Sequence, residues 1–283
     1  MAKTTAELMM EAETLVSYGA VPDRILDDAL PDMSWQMSRE EFLFRGIGDH
    51  LFHYRRGKGI TVHRGADADA ADESLWLNGS VYAAIASMNG LLPIHASAVA
   101  TGGSVFAFSG PTGSGKSTLV AALGSRGLPL FCDDTLVLDL SDPDRIMCLP
   151  GHKRLKLTSQ AFDLAAVTPQ ERVSPELDKF YAVPASGEVG VALPLAELIF
   201  LEEGSDPSIT PLSGSERLMR IQDDHYTAQL FATARQFDRA GMFTHLSNMA
   251  RRIKMSRFVR SMARSRFNES VEIAAHHVNN SVD

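Results

Sequence analysis

The stretch Val105-Phe-Ala-Phe-Ser-Gly110-Pro-Thr-Gly-Ser-Gly115-Lys116-Ser117-Thr118 decides the fold of this chain. It matches the phosphate-loop pattern G-x-x-x-x-G-K-[ST] without a mismatch. The apolar run 105–108 before the loop predicts a strand, and the run 118–124 after it predicts a helix. Glycines let such a loop curl until several N–H groups point at one anion, which the helix dipole also favours. The sequence therefore predicts a phosphate-binding site between this strand and this helix.

The loop residues have expected contacts with a nucleoside triphosphate and its magnesium ion. Lys116 is expected to reach the β- and γ-phosphates, and the Ser117 hydroxyl to hold Mg²⁺. A Gly-rich turn formed by chance is the alternative, and the strand–loop–helix context argues against it. The predicted cofactors are ATP and Mg²⁺. The predicted nucleotide-binding residues are Gly110, Pro111, Thr112, Gly113, Ser114, Gly115, Lys116, Ser117 and Thr118.

Two adjacent carboxylates, Asp133 and Asp134, follow the next apolar segment. Asp133 lies seventeen positions after Lys116, which leaves room for one helix, a tight turn at Gly127 and one strand. In a parallel sheet, that return places the acids beside the phosphate loop. One carboxylate can hold Mg²⁺ through water while the other accepts a proton from an attacking hydroxyl. A solvated strand end with an Asp turn is the alternative.

Composition and charge exclude several classes of function. The 283 residues are 45% hydrophobic and 22% charged, as in ordinary globular proteins. A net charge of −8 argues against general nucleic-acid binding, and no apolar run approaches the length of a membrane span. Cys132 and Cys148 provide neither a zinc framework nor a disulfide scaffold, and Cys132 is expected to be a small buried hydrophobe. The acidic amino-terminal segment lacks the apolar region of a signal peptide, so we expect a cytoplasmic protein without nucleic-acid or membrane partners.

Hydrophobic periodicity divides the chain into a small part and a large part. Residues 4–18 and 75–89 predict helices, and residues 41–63 predict three short antiparallel strands. We therefore expect a small amino-terminal α+β subdomain over residues 1–90 and an α/β P-loop domain over residues 91–283.

The later part of the chain carries a candidate lid, a basic cluster and further predicted elements. The polar segment 168–179 is predicted to be a loop, long enough to act as a mobile lid. A basic cluster between Arg251 and Arg266 is either a solvated face, a docking surface for an acidic partner or a subunit contact. The further predicted elements are an apolar strand at 196–201, an edge strand at 254–259, and helices at 213–220, 226–240, 243–252 and 268–278.

Three segments together resemble the catalytic domain of HPr kinase/phosphorylase. They are His95-Ala-Ser-Ala-Val-Ala, the Gly110–Thr118 loop, and Leu130-Phe-Cys-Asp133-Asp134. The resemblance covers about residues 90–140. The chain is similar in particular to divergent HPr kinase-related proteins, including those found beside lasso-peptide biosynthesis proteins, which carry a small amino-terminal β-meander. It implies a P-loop-containing mixed β-sheet of the HPr kinase/PEP carboxykinase-like type.

The resemblance also implies roles for individual residues. Asp133 would be the general base that deprotonates the acceptor serine, and Asp134 its neighbour that supports the metal or the base. Ser117 and Asp134 are accordingly the predicted metal ligands. His95 would be an active-site histidine near the pair, although a buried histidine bonded to backbone is the alternative. The predicted catalytic residues are Asp133, Asp134, His95, Lys116 and Arg154.

Arg154 and the rest of the chain match the family less closely. Arg154 follows Pro150-Gly151, where related kinases have an arginine, and is the candidate contact of the γ-phosphate; Lys179 in the candidate lid is a second one. The long regulatory domain of the family is replaced by residues 1–90, and its second Gly-rich signature is not found. HPr as substrate and the reverse phosphorolysis are therefore not expected.

The sequence and the resemblance together predict ATP-dependent phosphorylation of a hydroxyl. The expected acceptor is a serine of a peptide or protein, of the lasso-peptide or HPr-like type. A small-molecule kinase using the same site and a non-kinase P-loop ATPase or switch are the alternatives. An ABC-type ATPase is disfavoured because no Leu-Ser-Gly-Gly-Gln-like segment lies between the loop and the acids. Related proteins assemble into oligomers, so a homo-oligomer is an expectation from analogy.

Overall fold

The computed structural model describes residues 2–27, 33–66, 69–174, 178–221, 225–236 and 239–281, without the side chains at 239 and 245. Its helices are α1 (Thr5–Glu13), α2 (Ala70–Trp76), α3 (Tyr82–Met88), α4 (Lys116–Gly124), α5 (Ala161–Ala165), α6 (Ser215–Ile221), α7 (Tyr226–Ala234), α8 (Arg239–Arg252) and α9 (Phe267–Asn280). Its strands are β1 (Val16–Tyr18), β2 (Trp35–Met37), β3 (Glu41–Arg45), β4 (Leu51–Arg55), β5 (Gly59–His63), β6 (Leu92–Thr101), β7 (Ser104–Ser109), β8 (Leu130–Cys132), β9 (Thr135–Asp139), β10 (Met147–Leu149), β11 (Leu155–Leu157), β12 (Pro169–Arg172), β13 (Phe180–Ala182), β14 (Leu193–Glu203), β15 (Ser208–Pro211) and β16 (Lys254–Arg260).

The amino-terminal strands form a five-stranded sheet in the order β1-β5-β4-β3-β2. Strands β3, β4 and β5 pair antiparallel, which confirms the meander predicted over residues 41–63. The helix predicted over residues 4–18 begins with a capping box at Thr4 and ends at Glu13. Its last residues were predicted wrongly because β1 pairs parallel with β5, a long-range contact that a helical stripe does not indicate.

One hydrophobic core connects the amino-terminal sheet with the larger part of the chain. Phe42, Phe52 and the alanine-rich helix α3 pack in the same cluster as Val137 of β9 and Leu230 of α7. Ala83, Ala84 and Ala86 of α3 are fully buried, and their small side chains let neighbouring elements approach closely. A π-helical turn at Leu77–Val81 joins α2 to α3, so the helix predicted over residues 75–89 has an irregular middle.

The larger sheet is mixed, in the order β10-β9-β6-β7-β14-β16-β15, with β8 paired to β6. Strands β7, β14 and β16 run parallel, whereas β6 is antiparallel to β7, β8 and β9. This confirms an α/β chain with a mixed sheet. The expectation that the acids return through a parallel neighbour of the phosphate-loop strand was wrong, because β6 lies between β7 and β8. Strand β16, predicted as an edge strand, lies between β14 and β15.

Alternating residues of β7 divide the larger core into two layers. Phe106 and Phe108 face a cluster that includes Leu119 of α4 and Ala274 of α9. Ala107 faces the opposite cluster, which lies beneath the helices α6, α7 and α8. This period of two is expected for a strand covered on both faces. The strand that leads into the phosphate loop is therefore held from both sides.

A small third sheet has the order β11-β13-β12. The loop predicted over residues 168–179 is irregular only in part, because Pro169–Arg172 forms β12 and pairs antiparallel with β13. Residues 175–177 of this candidate lid lie outside the described residues. None of the described helices combines the length and the apolar character that crossing a membrane requires.

A buried carboxylate on β14 connects this strand with β16 and with α9. The Glu197 side chain is fully buried and accepts hydrogen bonds from the Ser256 hydroxyl and from Nζ of Lys254, at 3.0 Å. Its Oε2 also lies 2.8 Å from Nε2 of His277 in α9. Burial raises the pKa of Glu197, but the hydrogen bonds from His277 and Ser256 outweigh it and lower the pKa.

We expect Glu197→Ala to lower the free energy of unfolding by about 1–3 kcal/mol, because it leaves buried donors unsatisfied. Urea denaturation at neutral pH measures this loss. The control is Glu203→Ala on the exposed end of the same strand, which should change stability by less than about 0.5 kcal/mol. Equal effects of the two substitutions would contradict the role given to Glu197.

Candidate active site

The phosphate loop, Gly110–Thr118, follows β7 directly, and its last three residues begin α4. Gly110, Gly113 and Gly115 have φ angles of 146°, 83° and 81°, a backbone region that favours glycine. A side-chain carbon at Gly110 would lie 3.1 Å from the carbonyl oxygen of Leu201, whereas space is open around Gly113. The loop therefore has the curled backbone that its sequence pattern predicts.

Lys116 lies inside this loop. Its side chain is largely buried, and Nζ donates hydrogen bonds to the carbonyl oxygens of Gly110 at 2.8 Å and Pro111 at 3.1 Å. These neutral acceptors are weaker partners for an ammonium group than phosphate oxygens are. The lysine is thus held where an anion bound by the loop would meet it.

Asp133 is the most highly connected side chain of the site. Its Oδ1 accepts hydrogen bonds from the Ser117 hydroxyl at 2.8 Å and the Ser97 hydroxyl at 2.6 Å. Its Oδ2 accepts one from the backbone N–H of Lys156 at 2.8 Å. The residue is only 2% exposed. One carboxylate therefore joins the start of α4 to β6 and β11.

Asp134 differs from its neighbour in both exposure and partners. Its side chain is 30% exposed, and its φ of 72° is unusual for a residue other than glycine. Oδ2 accepts a hydrogen bond from Nζ of Lys156 at 3.0 Å, while Oδ1 lies 3.7 Å from Nε2 of His95, beyond hydrogen-bond distance. Burial raises the pKa of Asp134, but the charge and hydrogen bond of Lys156 outweigh it and lower the pKa. Asp134 is therefore ionised at neutral pH.

His95 lies beside this carboxylate at the beginning of the long strand β6. Its ring stacks on that of His225, with ring centroids 3.4 Å apart. Burial, the charge of Lys116 and the neighbouring His225 lower the pKa of His95 to about 3. Within the described part of the chain, its Nδ1 is buried without a hydrogen-bond partner. The neutral imidazole of His95 therefore lies near Asp134, with Nε2 3.7 Å from Oδ1.

The two candidate γ-phosphate contacts lie in different surroundings. Arg154 contacts the Glu171 carboxylate, and its guanidinium lies 3.8 Å from the ring centroid of Tyr181, on the small sheet. Lys179 lies close enough to His95 and Asp134 for its charge to lower the pKa of both.

Three residues of the site were missed by sequence reasoning. Ser97 and Lys156 contact the acid pair, and Arg260 at the end of β16 donates a hydrogen bond to the carbonyl oxygen of Ser114 in the phosphate loop. Ser97 belongs to the His95-Ala-Ser segment, so its position two residues after His95 on one strand face could have indicated it. Lys156 and Arg260 come from segments whose approach depends on sheet topology.

A cavity of about 280 Å³ adjoins the site on the face of the sheet opposite α4. His95 and Ser109 line it beside the loop, and Thr227 and Gln229 of α7 contribute further polar groups. Most of its remaining wall is apolar. The apolar lining includes Leu92, Ile94, Leu198, Phe200, Phe231 and Met242.

The residues of the loop fit a nucleotide with its magnesium ion. Mg²⁺ prefers oxygen ligands and is commonly bound through one or two protein groups together with substrate phosphates. The Ser117 hydroxyl and the Asp133 carboxylate are adjacent oxygen ligands of this type. Space over Gly113 and the position of Lys116 leave the loop accessible to phosphate groups.

Comparisons with known proteins find distant likenesses among solved structures. No family model matches the sequence, and no curated protein matches it. Among solved structures, the chain is similar to the Hpr(Ser) kinase/phosphatase from Coxiella burnetii, with 11% sequence identity and a TM-score of 0.37. The aligned region covers 66% of this chain and 97% of that chain. The roles of individual residues rest on the contacts within this chain.

We expect two histidines near the acid pair to make folding sensitive to mild acid: His95, and His152, whose carbonyl oxygen accepts a hydrogen bond from the backbone N–H of Asp133 at 3.3 Å. Burial and neighbouring cations lower the pKa of His95 to about 3 and that of His152 to about 4. Between these values and the unfolded pKa of about 6.5, the unfolded chain binds protons that the folded chain does not. The free energy of unfolding should therefore fall as the pH decreases from 6.5 to 4.

His95→Gln should reduce this pH dependence by up to about 1.4 kcal/mol per pH unit. Urea denaturation at a series of pH values measures the slope, which is separate from any uniform change in stability. The matched control is His276→Gln, which removes a histidine on the exposed face of α9, outside the site. A slope in His95→Gln equal to that of the unmodified protein would refute the assignment.

Proposed function

We propose that this chain is a kinase that transfers the γ-phosphate of ATP to a hydroxyl, with a serine of a peptide or protein as the expected acceptor. The observation that carries the proposal is the arrangement of two carboxylates next to the phosphate loop. The Asp133 carboxylate accepts a hydrogen bond from Ser117, the loop residue expected at the metal. Asp134, the next residue, is ionised and partly exposed. A metal-side acid and an open acid are the pair that phosphoryl transfer to a hydroxyl requires.

The contacts favour Asp133 as the residue on the metal side. Its carboxylate already accepts three hydrogen bonds and is buried, so an acceptor hydroxyl has little access to it. Its partner Ser117 is the hydroxyl that the loop pattern places on Mg²⁺. When bound, Mg²⁺ neutralises negative charge on the phosphate oxygens. We therefore propose the reverse of the roles implied by the sequence resemblance, which gave the metal to Asp134.

Asp134 is the proposed general base. Its side chain is the more exposed of the pair, and Lys156 holds Oδ2 while Oδ1 remains beyond hydrogen-bond distance of His95. An acceptor hydroxyl approaching Oδ1 could donate its proton to this oxygen. The neutral ring of His95 limits the position of that hydroxyl without adding positive charge. Lys116 stabilises the negative charge on the transferring group.

The cavity beside His95 favours a second candidate, a small-molecule kinase that uses the same site. Its volume of about 280 Å³ and its largely apolar wall suit a small apolar body more than a folded protein surface. The hydroxyl of such a molecule would still meet Asp134. A P-loop ATPase or switch remains the alternative from another class, and it would release phosphate without a phosphorylated product.

We expect Asp134→Asn to lower phosphoryl transfer by about 10²–10⁴-fold while changing the affinity for ATP by less than about threefold. Asp133→Asn should weaken the magnesium-dependent part of ATP binding as well as transfer. Phosphoryl transfer is measured by incubating the protein with labelled ATP and with extracts of peptides or small molecules from its own cell. The affinity for ATP is measured by fluorescence titration. Asp206→Asn on an exposed turn is the control.

Two outcomes would contradict this proposal in different ways. In the first, Asp134→Asn transfers phosphate at a near-normal rate, whereas Asp133→Asn loses transfer but keeps its magnesium-dependent affinity for ATP. This result would restore the roles implied by the resemblance. Label released only as free phosphate with every peptide and small-molecule fraction would favour the ATPase or switch.

A further inference from the structure

Arg260 is a buried cation without an acidic partner in the described part of the chain. It is 3% exposed, and burial alone lowers its pKa, with no carboxylate acting on it. Arg257, three residues earlier on β16, shows the contrast because it pairs with Glu216 and Glu202. A guanidinium remains charged in proteins, so Arg260 carries its charge into the interior.

A buried charge without a counter-ion is costly, and its retention indicates a partner that binds from outside the chain. One Nη of Arg260 donates to the carbonyl oxygen of Ser114, which is a neutral acceptor. Its Nε is buried without a hydrogen-bond partner among the described residues. The hydrogen bonds among the described residues therefore leave the charge of Arg260 uncompensated.

The position of Arg260 identifies the missing partner as an anion in the phosphate loop. The guanidinium packs directly against Gly115, the residue that caps α4, so that a side chain at Gly115 would collide with it. The same loop directs backbone N–H groups and Lys116 toward its centre, and the amino terminus of α4 adds a favourable dipole. On one side of β16, the strand β15 contains only Ser208, Ile209, Thr210 and Pro211, none of which carries a carboxylate. On the other side, Glu203 of β14 is in register with Arg260, but it is exposed and does not act on the Arg260 charge.

We propose that Arg260 is the second cation of the phosphate loop, and that the polyphosphate group of the nucleotide is the counter-ion it lacks. This inference rests on the nucleotide-binding part of the proposed function. Arg260 then binds phosphate oxygens together with Lys116, from the side of the loop that faces β16. In this arrangement the polyphosphate group contacts both β16 and α4. Its binding therefore raises the stability of the folded chain.

The test uses the full chain and inorganic pyrophosphate with Mg²⁺ as the probe. Arg260→Met keeps most of the apolar stem and removes the charge, and Arg260→Lys keeps the charge. We expect Arg260→Met to weaken pyrophosphate binding by at least about tenfold, which corresponds to about 1.4 kcal/mol, and Arg260→Lys to weaken it less. The control Arg257→Met, on the same strand, should bind pyrophosphate as the unmodified protein does. Isothermal titration calorimetry measures these affinities.

Thermal unfolding without ligand separates a phosphate contact from a structural brace. If Arg260 carries an uncompensated charge, Arg260→Met should keep or raise the melting temperature of the ligand-free protein, and pyrophosphate should raise it less than in the unmodified protein. If Arg260→Met instead lowers the ligand-free melting temperature and leaves the pyrophosphate affinity unchanged, the inference is overturned. Arg260 would then have only a structural role. Failure of the unmodified protein to bind either pyrophosphate or ATP would instead refute the proposed function.

Discussion

The arrangement of the site depends on the carboxylate of Asp133. Its two oxygens accept hydrogen bonds from the first turn of α4, from β6 and from the backbone at β11, three segments that are distant in the sequence. Because a buried carboxylate needs hydrogen-bond donors for its oxygens, the position of each of these donors is constrained by Asp133. The same contacts fix the loop that precedes α4 and the direction of Asp134. A single buried acid thereby sets the geometry around the phosphate loop.

Strand β6 is the structural basis of this arrangement. It separates the phosphate-loop strand from the strand that carries the acid pair, and it contributes both Ser97 and His95. Because β6 pairs antiparallel with β7 and β8, these two strands point the same way, and their ends lie at the same edge of the sheet. The core layers above and below β7 hold that edge in place. The chemistry proposed for the site therefore follows from a mixed sheet, without the parallel neighbour that the spacing of the acids indicates.

Local patterns predicted the elements whose contacts are close in the sequence. The strand, loop and helix around Gly110 to Thr118 and the meander at residues 41–63 follow from short-range periodicity and turn residues. The prediction was wrong where distant pairing competes, as in β1, which replaces the end of a predicted helix, and β16, which lies inside the sheet. Lys156 and Arg260 were missed for the same physical reason, because no local pattern reports that β11 and β16 approach the site. Arg260 also belongs to the basic cluster, whose other arginines are mostly solvated or paired with acids, and the charge pattern does not distinguish it from them.

The most direct test of the account is a crystal structure of the protein with Mg²⁺ and a non-hydrolysable ATP analogue. We predict the β- and γ-phosphates inside the Gly110–Thr118 loop, within hydrogen-bond distance of Lys116, and Mg²⁺ between Ser117 and the Asp133 carboxylate. Oδ1 of Asp134 should then face open space in front of the γ-phosphate. A nucleotide bound elsewhere, or a bound nucleotide with Mg²⁺ on Asp134 and the Ser117–Asp133 hydrogen bond unchanged, would contradict the account.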